Sequence, residues 1–162
     1  MKYRAPALLF ILLAWVGPLL ADNHVVRIGV LSHRGNEATF SAWSPTASYL
    51  TQAISDAHFE IIPLDFDEVD PAVKFGQVDF ILVNPGIYVN LEVRYRISRI
   101  ATLSNRAGVG AHNVFGGVIF TRSDRGDING LADTKGKRFM AVDYTSLGGF
   151  EMAWREFKDQ GI

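Results

Sequence analysis

Apolar and polar positions change rhythm several times along this chain. Val25-Val26-Arg27-Ile28-Gly29-Val30-Leu31 is short, mostly apolar and rich in β-branched residues, which predicts a mostly buried first strand. The polar, glycine-containing stretch from Ser32 to Ser44 reads as a loop. Ser44-Pro45 then offers an N-cap serine followed by a first-turn proline. Ala47, Leu50, Ile54 and Ala57 recur behind it at helical spacing and predict one buried stripe. Phe59 to Leu64 predicts a second strand, with Pro63 placing it at a sheet edge or a strand end. Asp67 to Gly76 predicts a short helix with Val69, Ala72 and Val73 inward. Val78 to Val83 predicts a third, central strand. Asn84-Pro85-Gly86 turns the chain into a helix that runs to about Arg94.

Further along, Ile97 to Leu103 predicts a fourth strand, Val114 to Arg122 a fifth and Arg138 to Val142 a sixth. Asn105 to Asn113 reads as a connector. Ser123 to Lys137 reads as a turn-rich surface with a single helical turn over Ile128 to Asp133. After a loop from Asp143 to Gly149, Phe150, Trp154 and Phe157 form the apolar face of a last helix that Gly161 stops. Strands alternating with helices predict an α/β fold with a parallel-rich sheet. Such sheets bind ligands beyond the carboxyl ends of their strands. That rule selects the loops after Leu31, Leu64, Val83, Leu103 and Val142.

The first 21 residues follow a different logic. Lys2 and Arg4 precede an uncharged apolar run, and Pro18-Leu19-Leu20-Ala21 leads to Asp22, the layout of a secretory signal peptide with Ala21 as its last residue. The uncharged stretch from Ala5 to Ala21 is also at the lower edge for an uncleaved membrane anchor. Beyond it no run approaches transmembrane length, and about 140 residues remain, a fair size for one domain. The whole chain carries 16 basic and 17 acidic side chains, a balance that argues against nucleic acid as partner. There are no cysteines, which removes disulfides, thiolate metal sites and cysteine nucleophiles.

Three junctions carry candidate chemistry. Asp143-Tyr144-Thr145-Ser146-Leu147-Gly148-Gly149 lies between a predicted strand and a predicted helix. A helix start attracts anions, Thr145 and Ser146 add hydroxyl donors, and Gly148 permits close backbone approach. Ordinary capping by Ser146 is the competing reading. No Walker-type lysine follows. Tyr88 sits in the first turn after Asn84-Pro85-Gly86, where its hydroxyl either reaches across a cleft or packs on its own helix. His33 and Arg34 follow the first strand, and an arginine there could pair with an oxyanion or simply be solvated. A metal site drawn from His33, His112 and Asp65 has no ligand spacing behind it. A triad drawn from Ser146, a histidine and Asp143 lacks the nucleophile-elbow pattern. No enzymatic activity, metal or cofactor is therefore expected.

Three stretches together resemble a known family: VVRIGVL with SPTASYL; VDFILVNPGIYVNLEVRY with RIATL; and FGGVIFTRSDRGDINGLADTKGKRFMAVDYTSLGGFEMAWREF. The chain looks like the phosphonate-binding periplasmic family, a branch of the two-lobed solute-binding proteins. The NPGIYVNLEVRY stretch is most similar to the version fused in front of sensor histidine kinases of the tetrathionate-sensor type. The resemblance covers residues 25 to 161. It implies two α/β lobes closing on a small oxyanion, with residues 22–113 as the first lobe and 114–162 as the start of a second, incomplete one. It implies that Thr145, Ser146 and Gly148 grip the anion from the second lobe, and that Tyr88, His33 and Arg34 face it from the first. Leu147 departs from the run of hydroxyl residues usual in phosphonate binders. The implied partners are a small oxyanion and either a membrane permease or a histidine-kinase module, in the periplasm. The sequence therefore reads as a fragment of a longer protein, with a non-binding remnant or interaction domain as the alternative.

Overall fold

In a computed structural model the chain is described over residues 24–162. The leader reading for residues 1–21 lies outside the described residues. The first strand, β1 (His24–Leu31), is followed by helix α1 (Asn36–Ala53) and strand β2 (Ala57–Leu64). Helix α2 (Phe66–Lys74), strand β3 (Phe80–Leu82) and helix α3 (Pro85–Tyr95) come next. The three strands form one parallel sheet in the order β2-β1-β3, with Ile28 opposite Ile61 on one side and opposite Phe80 on the other. This is the α/β architecture with a parallel sheet that the alternation of elements predicts.

Helices cover both faces of the sheet. Val30, Ala47 and Ile61 make one buried cluster, with Trp43 of α1 packed against it. Leu31, Leu64, Val69, Ala72, Ile87 and Leu91 make the other, joining the sheet to α2 and α3. Adjacent residues Val30 and Leu31 thus feed opposite cores, as the two-residue period of a strand requires. Of the three predicted inward positions, Val69 and Ala72 are only 1% exposed and Val73 is partly buried against the same cluster. Pro63 lies on the edge strand β2, where its missing N–H breaks no ladder.

Several expectations are corrected. The helix expected from Ser44-Pro45 begins two turns earlier, at Asn36, and Pro45 lies inside it. The Ser44 hydroxyl donates to the Phe40 carbonyl at 2.6 Å within that helix rather than capping it. Gly35, with φ of 92°, makes the turn that lets the helix start there. The predicted stripe is shorter than expected, because the helix ends at Ala53 and Ala57 already belongs to β2. β1, not β3, is the central strand.

The fourth, fifth and sixth predicted strands do not form. The connector at 105–113 instead folds into an antiparallel hairpin of β4 (Asn105–Ala107) and β5 (Gly110–His112). Strand propensity is realised only where a ladder partner and a packing surface are present. Ile100, Val118, Phe120 and Met140 have neither and stay largely exposed, Met140 at 94%. A helical turn at Leu131–Thr134, a wide π-type turn at Leu147–Glu151 and helix α4 (Met152–Asp159) complete the chain. The expected aromatic face on α4 is present: Phe150 stacks on Trp154 at 6.0 Å, and Phe157 meets Phe139 edge-on at 5.3 Å. Gly161 takes the left-handed φ of 71° beyond the end of α4.

Candidate ligand-binding site

The order β2-β1-β3 creates a crevice between β1 and β3. The chain leaves β1 into α1 on one face and leaves β3 into α3 on the other. Val30 pairs with Leu82, so both exits lie at the same end of the sheet. This is the switch point at which parallel α/β sheets bind ligands. His33 and Arg34 occupy the exit from β1, both exposed. The buried hydroxyl of Thr39 donates to that of Ser32 at 3.2 Å, tying that exit to α1. The exit from β3 is Asn84-Pro85-Gly86. The Asn84 carboxamide oxygen accepts the Ile87 amide at 3.1 Å, and proline at the first helical position costs no hydrogen bond. The other end of the same carboxamide, Nδ2, is buried and has no hydrogen-bond partner.

The Ser146 turn meets this exit. A Cβ built on Gly86 would stand 2.8 Å from the Thr145 carbonyl oxygen and 2.6 Å from Oε2 of Glu151. Only a glycine permits that approach. Pro85, Gly86, Val89 and Asn90 line a cleft of about 220 Å³ together with Leu147 and Glu151. Two helix starts, one from each half of the chain, therefore converge there. Each brings the positive end of its helix dipole, and at α3, where Pro85 has no N–H and Asn84 takes the Ile87 amide, the amide left over is that of Gly86.

The hydroxyls of the turn differ in availability. The Thr145 hydroxyl donates to Asp143 Oδ1 at 2.6 Å, beside the Thr145 amide at 2.8 Å. An anion reaching Thr145 would have to compete with that carboxylate. The Ser146 hydroxyl accepts the Gly149 amide at 3.2 Å, so its own proton remains to be donated. The Ser146 carbonyl accepts from both Phe150 and Glu151, which gives the turn its wide form. Capping by Ser146, the competing reading of that residue, is thus present and leaves a donor over. Gly148 packs under Phe115, whose Cε2 would be 2.7 Å from a Cβ there, and the Gly148 carbonyl oxygen is 2.5 Å from a Cβ position on Gly117.

Tyr88 lies on α3 and donates its hydroxyl to Glu92 at 2.5 Å, one helical turn on. That hydrogen bond raises the phenol above its ordinary pKa. The structure brings the Thr145 carbonyl against Gly86 at the start of α3, whereas the cleft there is lined by Leu147 and Glu151 and by none of Ser146, Gly148, Tyr88, His33 and Arg34. Tyr88 is on that helix, and His33 with Arg34 are on the neighbouring strand exit. The sequence marks Asn84-Pro85-Gly86 as a junction without giving Asn84 or Gly86 a part in the site, and it does not point to Glu151 or the Phe115–Gly117 strap. The glycine pair in FGGV was the available signal for the strap, and N-P-G was the signal for the exit.

A family model described as ABC transporter, phosphonate, periplasmic substrate-binding protein matches residues 28–162. The chain belongs to this family. The resemblance read from VVRIGVL, NPGIYVNLEVRY and the stretch leading to the serine–glycine turn is thereby shown. This family of periplasmic substrate-binding domains acts by holding a solute. Tetrathionate sensor histidine kinase TtrS of Salmonella typhimurium is similar to the chain, 37% identical over 136 residues. The match takes in 83% of this chain and 23% of that relative, so the chain spans less than a quarter of the relative's length. No solved structure matches the chain. No helix among the described residues is long and apolar enough to cross a membrane.

Proposed function

We propose that this chain is a non-enzymatic periplasmic domain that binds a small oxyanion between two lobes and reports it to a membrane-bound module. The first lobe is residues 22–113 and the second begins at 114. Ser146, Thr145 and Gly148 hold the anion from the second lobe, with Tyr88, His33 and Arg34 on the first. The observation that carries this reading is the convergence of two helix starts at one cleft, with Ser146, next in the chain to the cleft-lining Leu147, keeping a proton to donate. The identity with a tetrathionate sensor kinase favours a sensor histidine kinase as the module, and the family description leaves a transport permease as the other role. Sulfur oxyanions, phosphonates and phosphate all fit a hydroxyl-bearing helix start.

Calorimetric titration of the 162-residue chain with tetrathionate, sulfate, phosphate and methylphosphonate tests the reading. At least one gives saturable binding. Ser146→Ala then weakens it at least several-fold, because a hydrogen bond to a charged group contributes about 1.5–3 kcal/mol. Unchanged affinity in a variant that melts like the parent removes Ser146 from the site. Silence from all four anions in the parent protein removes the binding function and leaves the non-binding alternative.

A further inference from the structure

Glu151 ends the wide turn and has no part in the contacts assigned so far to ligand holding. Its Oε2 stands 2.6 Å from a Cβ position on Gly86, so the carboxylate rests against the first turn of α3. It lines the same cleft as Pro85, Gly86 and Leu147. Its backbone amide donates to the Ser146 carbonyl, but among the described residues its carboxylate takes part in no hydrogen bond or ion pair. A carboxylate is thus already seated where two helix starts converge, and the dipole end of α3 favours its presence there.

We propose that Glu151 is a specificity-determining residue that sorts oxyanions by the charge on the end that enters the cleft. This rests on the oxyanion-binding reading above. A negative charge beside a bound anion opposes it in proportion to the anion's local charge, and protein-like surroundings screen that repulsion less than bulk water does. A singly charged sulfonate-type end meets half the repulsion of a doubly charged phosphonate-type end of the same shape. The preferred ligand therefore carries a single negative charge on the group it inserts. Tetrathionate, with one charge on each terminal sulfonate group, belongs to that class, whereas inorganic phosphate and methylphosphonate as dianions do not. Leu147, also lining this cleft, supplies no hydroxyl to offset the additional charge.

Methanesulfonate and methylphosphonate are close in shape and differ by one charge at mildly alkaline pH. Both are titrated into the full chain and into Glu151→Gln and Glu151→Asp, with melting curves recorded without ligand. The parent prefers methanesulfonate. Glu151→Gln gains about tenfold or more for methylphosphonate and distinctly less for methanesulfonate, so the preference narrows or inverts. Glu151→Asp keeps the charge and keeps the preference. An unchanged ratio in Glu151→Gln, with binding intact, overturns the charge filter and leaves the binding reading standing. Weaker binding of both anions in Glu151→Gln also overturns it, since the carboxylate would then be a partner of the ligand. A parent that binds phosphate or sulfate but neither methanesulfonate nor tetrathionate overturns the filter alone, and a parent silent towards every one of these anions takes the binding reading down with it.

Discussion

Replacing Gly86 by alanine tests whether the two halves of the chain meet as described. The added methyl would lie 2.8 Å from the Thr145 carbonyl oxygen, 2.6 Å from Glu151 Oε2 and 3.1 Å from Glu151 Cδ. The glutamate is the far end of a flexible side chain and can swing aside. The carbonyl cannot, because its peptide is fixed by the Asp143–Ser146 turn, with Ser146 N–H donating to the Asp143 carbonyl at 3.1 Å. Ordinary contact requires the two surfaces to part by roughly half an ångström, and overpacking of that kind costs about 1–3 kcal/mol. Helix α3 itself is not weakened, since alanine is a better helix former than glycine by about 1 kcal/mol. The expected outcome is an unchanged or higher melting point for the sheet and its helices. At the same time anion affinity falls about 5- to 150-fold, and proteolysis at the exposed basic residues between Arg122 and Lys137 speeds up. Adding Glu151→Ala to Gly86→Ala restores little, because the carbonyl clash persists. Parental affinity and parental cleavage rate in the single variant would refute the apposition of the two helix starts.

Other variants address the frame that holds the site. Leu91, 2% exposed in the cluster between the sheet and α3, loses its filling on mutation to alanine, and urea unfolding should register a loss of about 2–5 kcal/mol. Asp70 links α2 to α3 through Tyr95 at 2.8 Å and Arg94 at 2.7 Å. Burial pushes its carboxyl up, but the hydrogen bonds from Tyr95 and Arg94 outweigh that and hold its pKa below the ordinary aspartate value. A depressed folded pKa means that its contribution is complete above the unfolded pKa and is lost as the pH falls through the folded one. Asp70→Asn should therefore flatten the acid limb of the stability–pH curve below the ordinary aspartate pKa and lower stability slightly at neutral pH. The effect is small because the pair is solvent-screened.

The elements with local cores were legible in the sequence. Val69 and Ala72, or Val30 against Leu31, announce their burial through spacing alone, and Asn84-Pro85 announces a helix start through capping chemistry. Pro45 misled because its preference for a first turn is a statement about the missing N–H. A proline in the interior of a long helix is tolerated when packing on both sides holds the helix, here through Thr39, Trp43 and Ala47. The predicted strands at Val114–Arg122 and Arg138–Val142 misled for the opposite reason. Their residues suit a pleated surface, but a strand is a relation between segments, and no described segment pairs with them. Ser146 and Gly148 stand out in the sequence because capping by a hydroxyl and close approach at a glycine are local chemistry. Glu151 does not, since what matters about it is its distance from Gly86, 65 positions earlier in the chain, and no periodicity carries that information.

The same contrast bears on how the domain would report a ligand. The sheet and its helices hold both buried clusters, whereas in the segment after β5 the only buried apolar residue described is Ala153. The segment is therefore placed largely by its meeting with α3. A ligand gripped by the Ser146 turn and by the start of α3 binds the docked arrangement and not the parted one. By linkage it stabilises docking by about 2.7 kcal/mol at a free concentration one hundred times its Kd. Occupancy and docking are then two readings of one equilibrium. A carboxylate at the joint enters this balance twice. Glu151 favours docking in the empty protein by facing the positive end of α3, and beside a bound ligand it limits the charge that ligand carries.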